Sequence, residues 1–152
     1  MEAKSALKTL SNVLPKSNDV PNSPSTCSIS FSKCGKWLAV PTKQKVVVLG
    51  RAEKWEQVKE VRIAGLGAGE IVTTTDWDSV GEHILAGTNK GNLCLVSFPT
   101  MALVNTVHCG RKHNICGLVW HPAKNEVIFL DFGSILIEWF RRFLLTWGVI
   151  GD

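Results

Sequence analysis

The sequence predicts an all-β chain built from repeated small antiparallel sheets, and three observations predict it. The first is a recurring strand–turn–strand unit. Its clearest copy is Asn114-Ile115-Cys116-Gly117-Leu118-Val119-Trp120-His121-Pro122, which leads through Asn125 to Val127-Ile128-Phe129-Leu130. A weaker copy is Ser28-Ile29-Ser30-Phe31-Ser32, with Gly35 in the turn and Trp37-Leu38-Ala39-Val40 after it. Another is Thr73-Thr74-Thr75-Asp76-Trp77-Asp78, with Gly81 in the turn and Ile84-Leu85-Ala86 after it. The second observation is spacing: the aromatic anchors Phe31, Trp77 and Trp120 lie 46 and 43 residues apart. The third is strand order, since β-branched runs punctuated by glycine and asparagine turns follow one another.

A period near 40–45 residues of short strands and turns is the signature of a β-propeller of WD-repeat type, in which each blade is a four-stranded antiparallel sheet. The sequence accordingly reads as a partial propeller of about three blades, the last incomplete. Residues 1–25, with Pro15, Pro21 and Pro24, form a linker or loop entering the first repeat. The first blade spans 26–63, with strands expected at Thr26–Ser32, Trp37–Pro41, Lys45–Leu49 and Gln57–Ile63. The second spans 71–107, with strands at Ile71–Trp77, His83–Gly87, Asn92–Phe98 and Leu103–Val107. Its turn Thr88-Asn89-Lys90-Gly91 has the residues that a tight hairpin needs. The third spans 115–138, with strands at Ile115–Trp120, Glu126–Asp131 and Ser134–Glu138. Residues 139–152 form an atypical apolar tail, expected to be strand-forming sequence or an aberrant end. The run Ile135–Ile150, interrupted by Glu138, Arg141 and Arg142, is too short and too charged for a membrane span.

Composition fits an ordinary globular chain: 152 residues, 45% hydrophobic and 20% charged, with a net charge of +4. The basic excess is concentrated in residues 1–50, whose lysines face only Glu2 and Asp19. Such a segment suits an acidic partner or nucleic acid, although basic surfaces are common. Five cysteines (Cys27, Cys34, Cys94, Cys109, Cys116) form an odd set without a C-x-x-C pair, and the start lacks the apolar core of a secretory signal. Reduced thiols are expected.

No motif carries catalytic chemistry. Gly65-Leu66-Gly67-Ala68-Gly69 lacks the Gly-Lys-Ser/Thr ending of a phosphate loop, and a β-branched run rather than a helix follows it. It reads as a flexible inter-blade loop. Cys109, His113, Cys116 and His121 include metal-ligand types, but they straddle a loop and a strand and lack the two-ligand clip of a zinc site. No nucleophile elbow places a serine beside a base. Asp76 and Asp78 share a strand parity, and such acids beside a strand-end tryptophan bind a neighbouring turn's backbone. The pair Trp77-Asp78 ends a first strand, so it is not the dipeptide that closes the third strand of a standard repeat. No cofactor, metal or small-molecule substrate is expected. Trp77 and Trp120 are expected as core anchors between blades, with Phe31, Gly35, Gly81, His121 and Pro122 as further repeat anchors. Trp37 and Trp55 are the freer candidates for partner contacts.

Several segments, in order, resemble the amino-terminal propeller of the WD-repeat and HMG-box DNA-binding protein family. They are Leu14–Val20, Lys36-Trp37-Leu38-Ala39-Val40-Pro41, Val46–Trp55, Leu85–Gly91 and Ile115–Pro122. The resemblance runs from about Leu14 to Asp131. It implies a nuclear, non-enzymatic replication scaffold that links the replicative helicase to DNA polymerase α–primase and associates with chromatin. Two departures from the family are expected: the chain holds about three repeats, whereas propellers generally need at least four blades to close, and it has no room for the family's second, trimer-forming propeller and its HMG box. Tethering through the trimer and HMG-type DNA binding therefore do not transfer to these residues. The rival readings are a WD-repeat adaptor of another complex, or a nucleic-acid- or zinc-binding module. An open stack of blades leaves unpaired edges, so the isolated chain is expected to be marginally stable or to self-associate.

Overall fold

The computed structural model describes residues 28–108, 113–123, 127–131 and 138–140. Within them the first sheet comprises β1 (Ser30–Phe31), β2 (Trp37–Thr42), β3 (Lys45–Gly50) and β4 (Glu56–Arg62). The second comprises β5 (Val72–Trp77), β6 (His83–Thr88), β7 (Asn92–Ser97) and β8 (Ala102–His108). The third comprises β9 (Ile115–Trp120), β10 (Val127–Asp131) and β11 (Glu138–Phe140). Every pairing within a sheet is antiparallel between consecutive strands. This is a partial WD-repeat propeller: two four-stranded blades and a third with three described strands. Of the expected third strand Ser134–Glu138 of the last blade only Glu138 lies within the described residues, and Glu138, Trp139 and Phe140 pair with β10.

Burial follows the place of each strand in its blade. The middle strands β2, β3, β6 and β7 are covered on both faces and read as near-continuous apolar runs, WLAVPT, KVVVLG, HILAGT and NLCLVS. The outer strand β8 alternates exposed and half-buried residues along its whole length, as a strand covered on one face does. Both outer strands bend away at one register shift, opposite Val48/Leu49 in the first blade and Leu95/Val96 in the second. Pro41 sits in a middle strand without breaking it. The short β1 pairs only with Leu38 and Ala39, so the missing N–H falls where β2 has no ladder partner on that side.

Apolar side chains from facing blades fill the seams between them. Ala39, Val46, Val48, Val61 and Ile63 of the first blade pack with Val72, Trp77, Ile84, Ala86, Cys94 and Val96 of the second. Leu85, Leu93 and Leu95 pack with Ile115, Leu118, Trp120, Val127 and Phe129 of the third. A last cluster, Leu38, Val40, Val47 and Leu49 with Trp55 against it, occupies the opposite face of the first blade.

The inner strand β5 belongs to both seams. A register shift between Val72 and Thr74 sets its parity. Beyond it, Thr75 and Trp77 face the first blade: the Thr75 hydroxyl lies 3.0 Å from Ser30 Oγ, and Trp77 Nε1 donates to the Ser30 carbonyl at 3.0 Å. Asp76 faces the third blade, where its Oδ2 accepts the Trp120 N–H at 2.7 Å. Thr73, at the shift itself, donates to the Ile115 carbonyl at 2.6 Å. Of the three consecutive threonines in this buried strand, Thr75 bonds across to the first blade and Thr73 bonds both across to the Ile115 carbonyl and, at 3.2 Å, to the Gly87 carbonyl of its own sheet, whereas the buried Thr74 hydroxyl has no hydrogen-bond partner among the described residues.

Candidate functional site

The repeat positions singled out in the sequence are equivalent in register. Phe31 pairs with Leu38, Trp77 with Ile84 and Trp120 with Val127. Their surroundings are not equivalent. Trp77 is 0% exposed and Trp120 5%, each sunk into the seam with the preceding blade, whereas Phe31 is 55% exposed. Its ring meets that of Trp55 edge-on at 5.6 Å. The first blade therefore carries the anchor position without the seam that buries it in the next two.

The turn glycines have a backbone reason. Gly35 and Gly81 adopt φ of 69° and 78°, a region that side-chain-bearing residues enter at a cost. In the second blade the turn is further closed by Asp78, whose Oδ1 accepts the N–H groups of Gly81 and Glu82 at 2.6 and 2.9 Å. His83 Nδ1 donates to the other carboxylate oxygen at 2.9 Å. Asp76 and Asp78 consequently serve separate backbones, one the next blade and one its own turn. His121 performs a smaller version of this task, its Nδ1 accepting the Ala123 N–H at 3.1 Å, while Pro122 is exposed beside it.

Trp37 leans on the first seam, its ring edge-on to Phe98 at 5.2 Å, and Phe98 in turn meets Trp77 at 5.1 Å. Lys59 reaches across from the first blade, its ammonium 6.0 Å from the Phe98 ring centre and bonded to the Pro99 carbonyl. Trp55 is half-buried in the β3–β4 turn with a φ of 64°.

The Gly65–Gly69 segment, expected as a flexible loop, is clamped by both blades. Gln44 Nε2 donates to the carbonyls of Gly67 and Glu70 at 3.4 and 3.3 Å, Lys90 Nζ to Ala68 O at 2.6 Å, and Asn89 Nδ2 to Gly69 O at 3.0 Å. These partners lie in the β2–β3 and β6–β7 turns, far away in sequence, so local composition could not reveal the clamp. Glu70 is its hub, 3% exposed, accepting from Thr88 at 2.7 Å, Asn92 at 2.5 Å and the Gly67 N–H at 2.9 Å. Burial alone raises the Glu70 pKa, but these three donors and the nearby Lys90 outweigh it and hold it below the ordinary value. The loop spends its carbonyls on side chains, and the Gly67 N–H on a carboxylate, so it does not form an amide cradle for phosphate.

Of the proposed zinc-type ligands, Cys109 lies outside the described residues, His113 is exposed and Cys116 half-buried. Among the described residues no three His, Cys, Asp or Glu side chains gather as a metal site. Asp76, Asp78 and Glu70 are committed to backbone and neighbouring side chains.

No family model matches the chain. Over 120 residues it is 32% identical to "WD repeat and HMG-box DNA-binding protein 1" of Mus musculus and 29% identical to the protein of that name from Homo sapiens. The Xenopus laevis protein of the same name is 26% identical over 121 residues. Each match covers 78% of this chain, and the chain spans 10% of the length of each of these curated relatives. Among solved structures it is similar to a chain of the "Crystal Structure of Mitotic Checkpoint Complex", with a TM-score of 0.58 and 14% identity, covering 72% of this chain and 31% of that one. That likeness concerns the fold alone.

Proposed function

The chain belongs to the WD repeat and HMG-box DNA-binding protein family, of whose curated members it spans a tenth, and from this we propose that it is a non-enzymatic part of a nuclear replication scaffold. In this reading it contributes blade surfaces to an adaptor that links the replicative helicase to DNA polymerase α–primase and associates with chromatin. The observation that carries the proposal is the 32% identity extending over 120 residues, 78% of this chain. The commitment of Asp76, Asp78 and Glu70 to structural hydrogen bonds supports a binding role over a catalytic one.

The test is direct binding. The immobilised chain, offered purified replicative helicase and purified polymerase α–primase separately, is expected to retain at least one of them at physiological salt. Retention of neither removes the coupling role from these blades. Retention of duplex DNA with a steep loss of affinity as salt rises would instead assign them a nucleic-acid contact.

A further inference from the structure

At one end of the first two blades stand the β2–β3 turn, the β6–β7 turn and the 63–71 connection between them. Hydrogen bonds make this end one platform. Besides the side-chain clamp of Gln44, Asn89 and Lys90, Val72 N–H donates to Lys43 O at 2.6 Å, Ile63 N–H to Gln44 O at 2.8 Å and Asn89 N–H to Ile71 O at 3.0 Å. Strand ends and turns point away from the seams, so a further blade beside these two lengthens such a platform without covering it.

The charge that this platform turns to solvent is of one sign. Lys43, Arg62 and Lys90 are exposed. Lys90 Nζ is held by the Ala68 carbonyl at 2.6 Å and Arg62 by Gln44 Oε1 at 3.3 Å. Both partners are neutral, so they orient the cations without cancelling their charge. Lys45 is matched by Glu60 at 2.9 Å. Glu70 subtracts from the field of Lys90, but at 3% exposure and with three donors on its carboxylate it presents no oxygen to a partner. The opposite end of the same blades mixes Lys33, Lys36, Arg51 and Lys54 with exposed Glu53, Glu56 and Glu82.

The ground between the cations is low. Gly65, Gly67, Ala68 and Gly69 are exposed, and a Cβ at Gly65 or Gly69 would meet nothing within 4 Å. Leu66 is turned into the first seam. Residues 42–45, 62–72 and 88–92 contain no aromatic side chain.

We propose that this end of the first two blades is a contact surface for the phosphate backbone of a nucleic-acid duplex. Fixed cations around low backbone recognise repeated anionic charge rather than a base or a side chain. A single strand would gain most from an aromatic platform on which its bases stack, and an acidic peptide from an apolar anchor point; this end offers neither. The contact is made by side chains, since the amides of the connection are spent within the clamp. The inference goes beyond the scaffold reading and does not rest on it.

The test is fluorescence anisotropy of the full chain with a fluorescein-labelled DNA duplex, titrated from low to physiological salt, beside a labelled thymidine single strand and a labelled oligoglutamate. The triple variant K43Q/R62Q/K90Q is expected to weaken duplex binding by about tenfold or more and to flatten the slope of log affinity against log salt by about 2–3. K33Q/K36Q, at the opposite end, is expected to leave both unchanged, and matching melting temperatures show that either variant keeps the fold. Absence of duplex binding, or duplex binding that the triple variant retains, overturns the proposal. So do equal losses in the two variants, and so does tighter binding of the single strand or of oligoglutamate than of the duplex. Retention of helicase or polymerase is read separately, so a failed duplex contact leaves the replication reading in place.

Discussion

At the scale of single residues, the carboxylates and thiols yield the sharpest expectations. Asp76→Ala leaves the Trp120 N–H without its acceptor and should cost about 1–3 kcal/mol, with Asp76→Asn recovering part of it; urea denaturation of the variants measures both. Glu70 has a lowered folded-state pKa. Its contribution is therefore fully present above the ordinary carboxylate value of 4.5 and is lost as pH falls through the lowered folded value. Glu70→Gln should flatten the acid limb of a stability–pH profile, and an unchanged limb would remove Glu70 from that role. Burial raises the Cys94 thiol to about 11, whereas a hydrogen bond from Ser32, with help from Lys36, lowers exposed Cys34. Iodoacetamide should accordingly label Cys34 well before Cys94 in the folded protein, as peptide mass mapping would reveal. These environments were only partly legible in the sequence. That Asp76 and Asp78 would bind backbone could be argued from a strand-end tryptophan. That one serves the next blade and the other its own turn depends on where β5 stops, at Trp77.

At the scale of elements, the order of strands followed from alternation and turn residues, because short antiparallel meanders are coded locally. What alternation could not supply was the parity of β5. The shift between Val72 and Thr74 breaks the period of two, so Thr73, Thr75 and Asp76 reach different blades in a pattern that no count of every second residue predicts. The exposure of Phe31 escaped for a related reason, since its sequence environment copies that of Trp77 while its seam does not. Gly87 lies where β6 approaches the third blade most closely: a Cβ there would stand 2.8 Å from Ile115 Cγ2 and 2.9 Å from Thr74 Cγ2. Gly87→Val should therefore prise β6 from β9 and destabilise by about 1–3 kcal/mol, detectable as a lower melting temperature. Trp77→Phe removes the bond to the Ser30 carbonyl along with some packing.

At the scale of the molecule, contacts run along the stack from blade to neighbouring blade, so stability behaves as a sum of blade and seam contributions. The isolated chain should melt broadly or elute above its monomer mass at high concentration, measured by calorimetry and by light scattering after size exclusion. A monomer with one sharp transition would contradict this.

One register position carries a different chemistry in each blade. Ser30 pairs with Ala39, Asp76 with Leu85 and Val119 with Ile128. The first answers a neighbouring hydroxyl, the second a backbone N–H, and the third, 57% exposed, presents only methyl groups. The repeats look interchangeable in outline, yet each is addressed to its place. Exchanging two of them would part the Asp76 carboxylate from the Trp120 N–H that it now accepts.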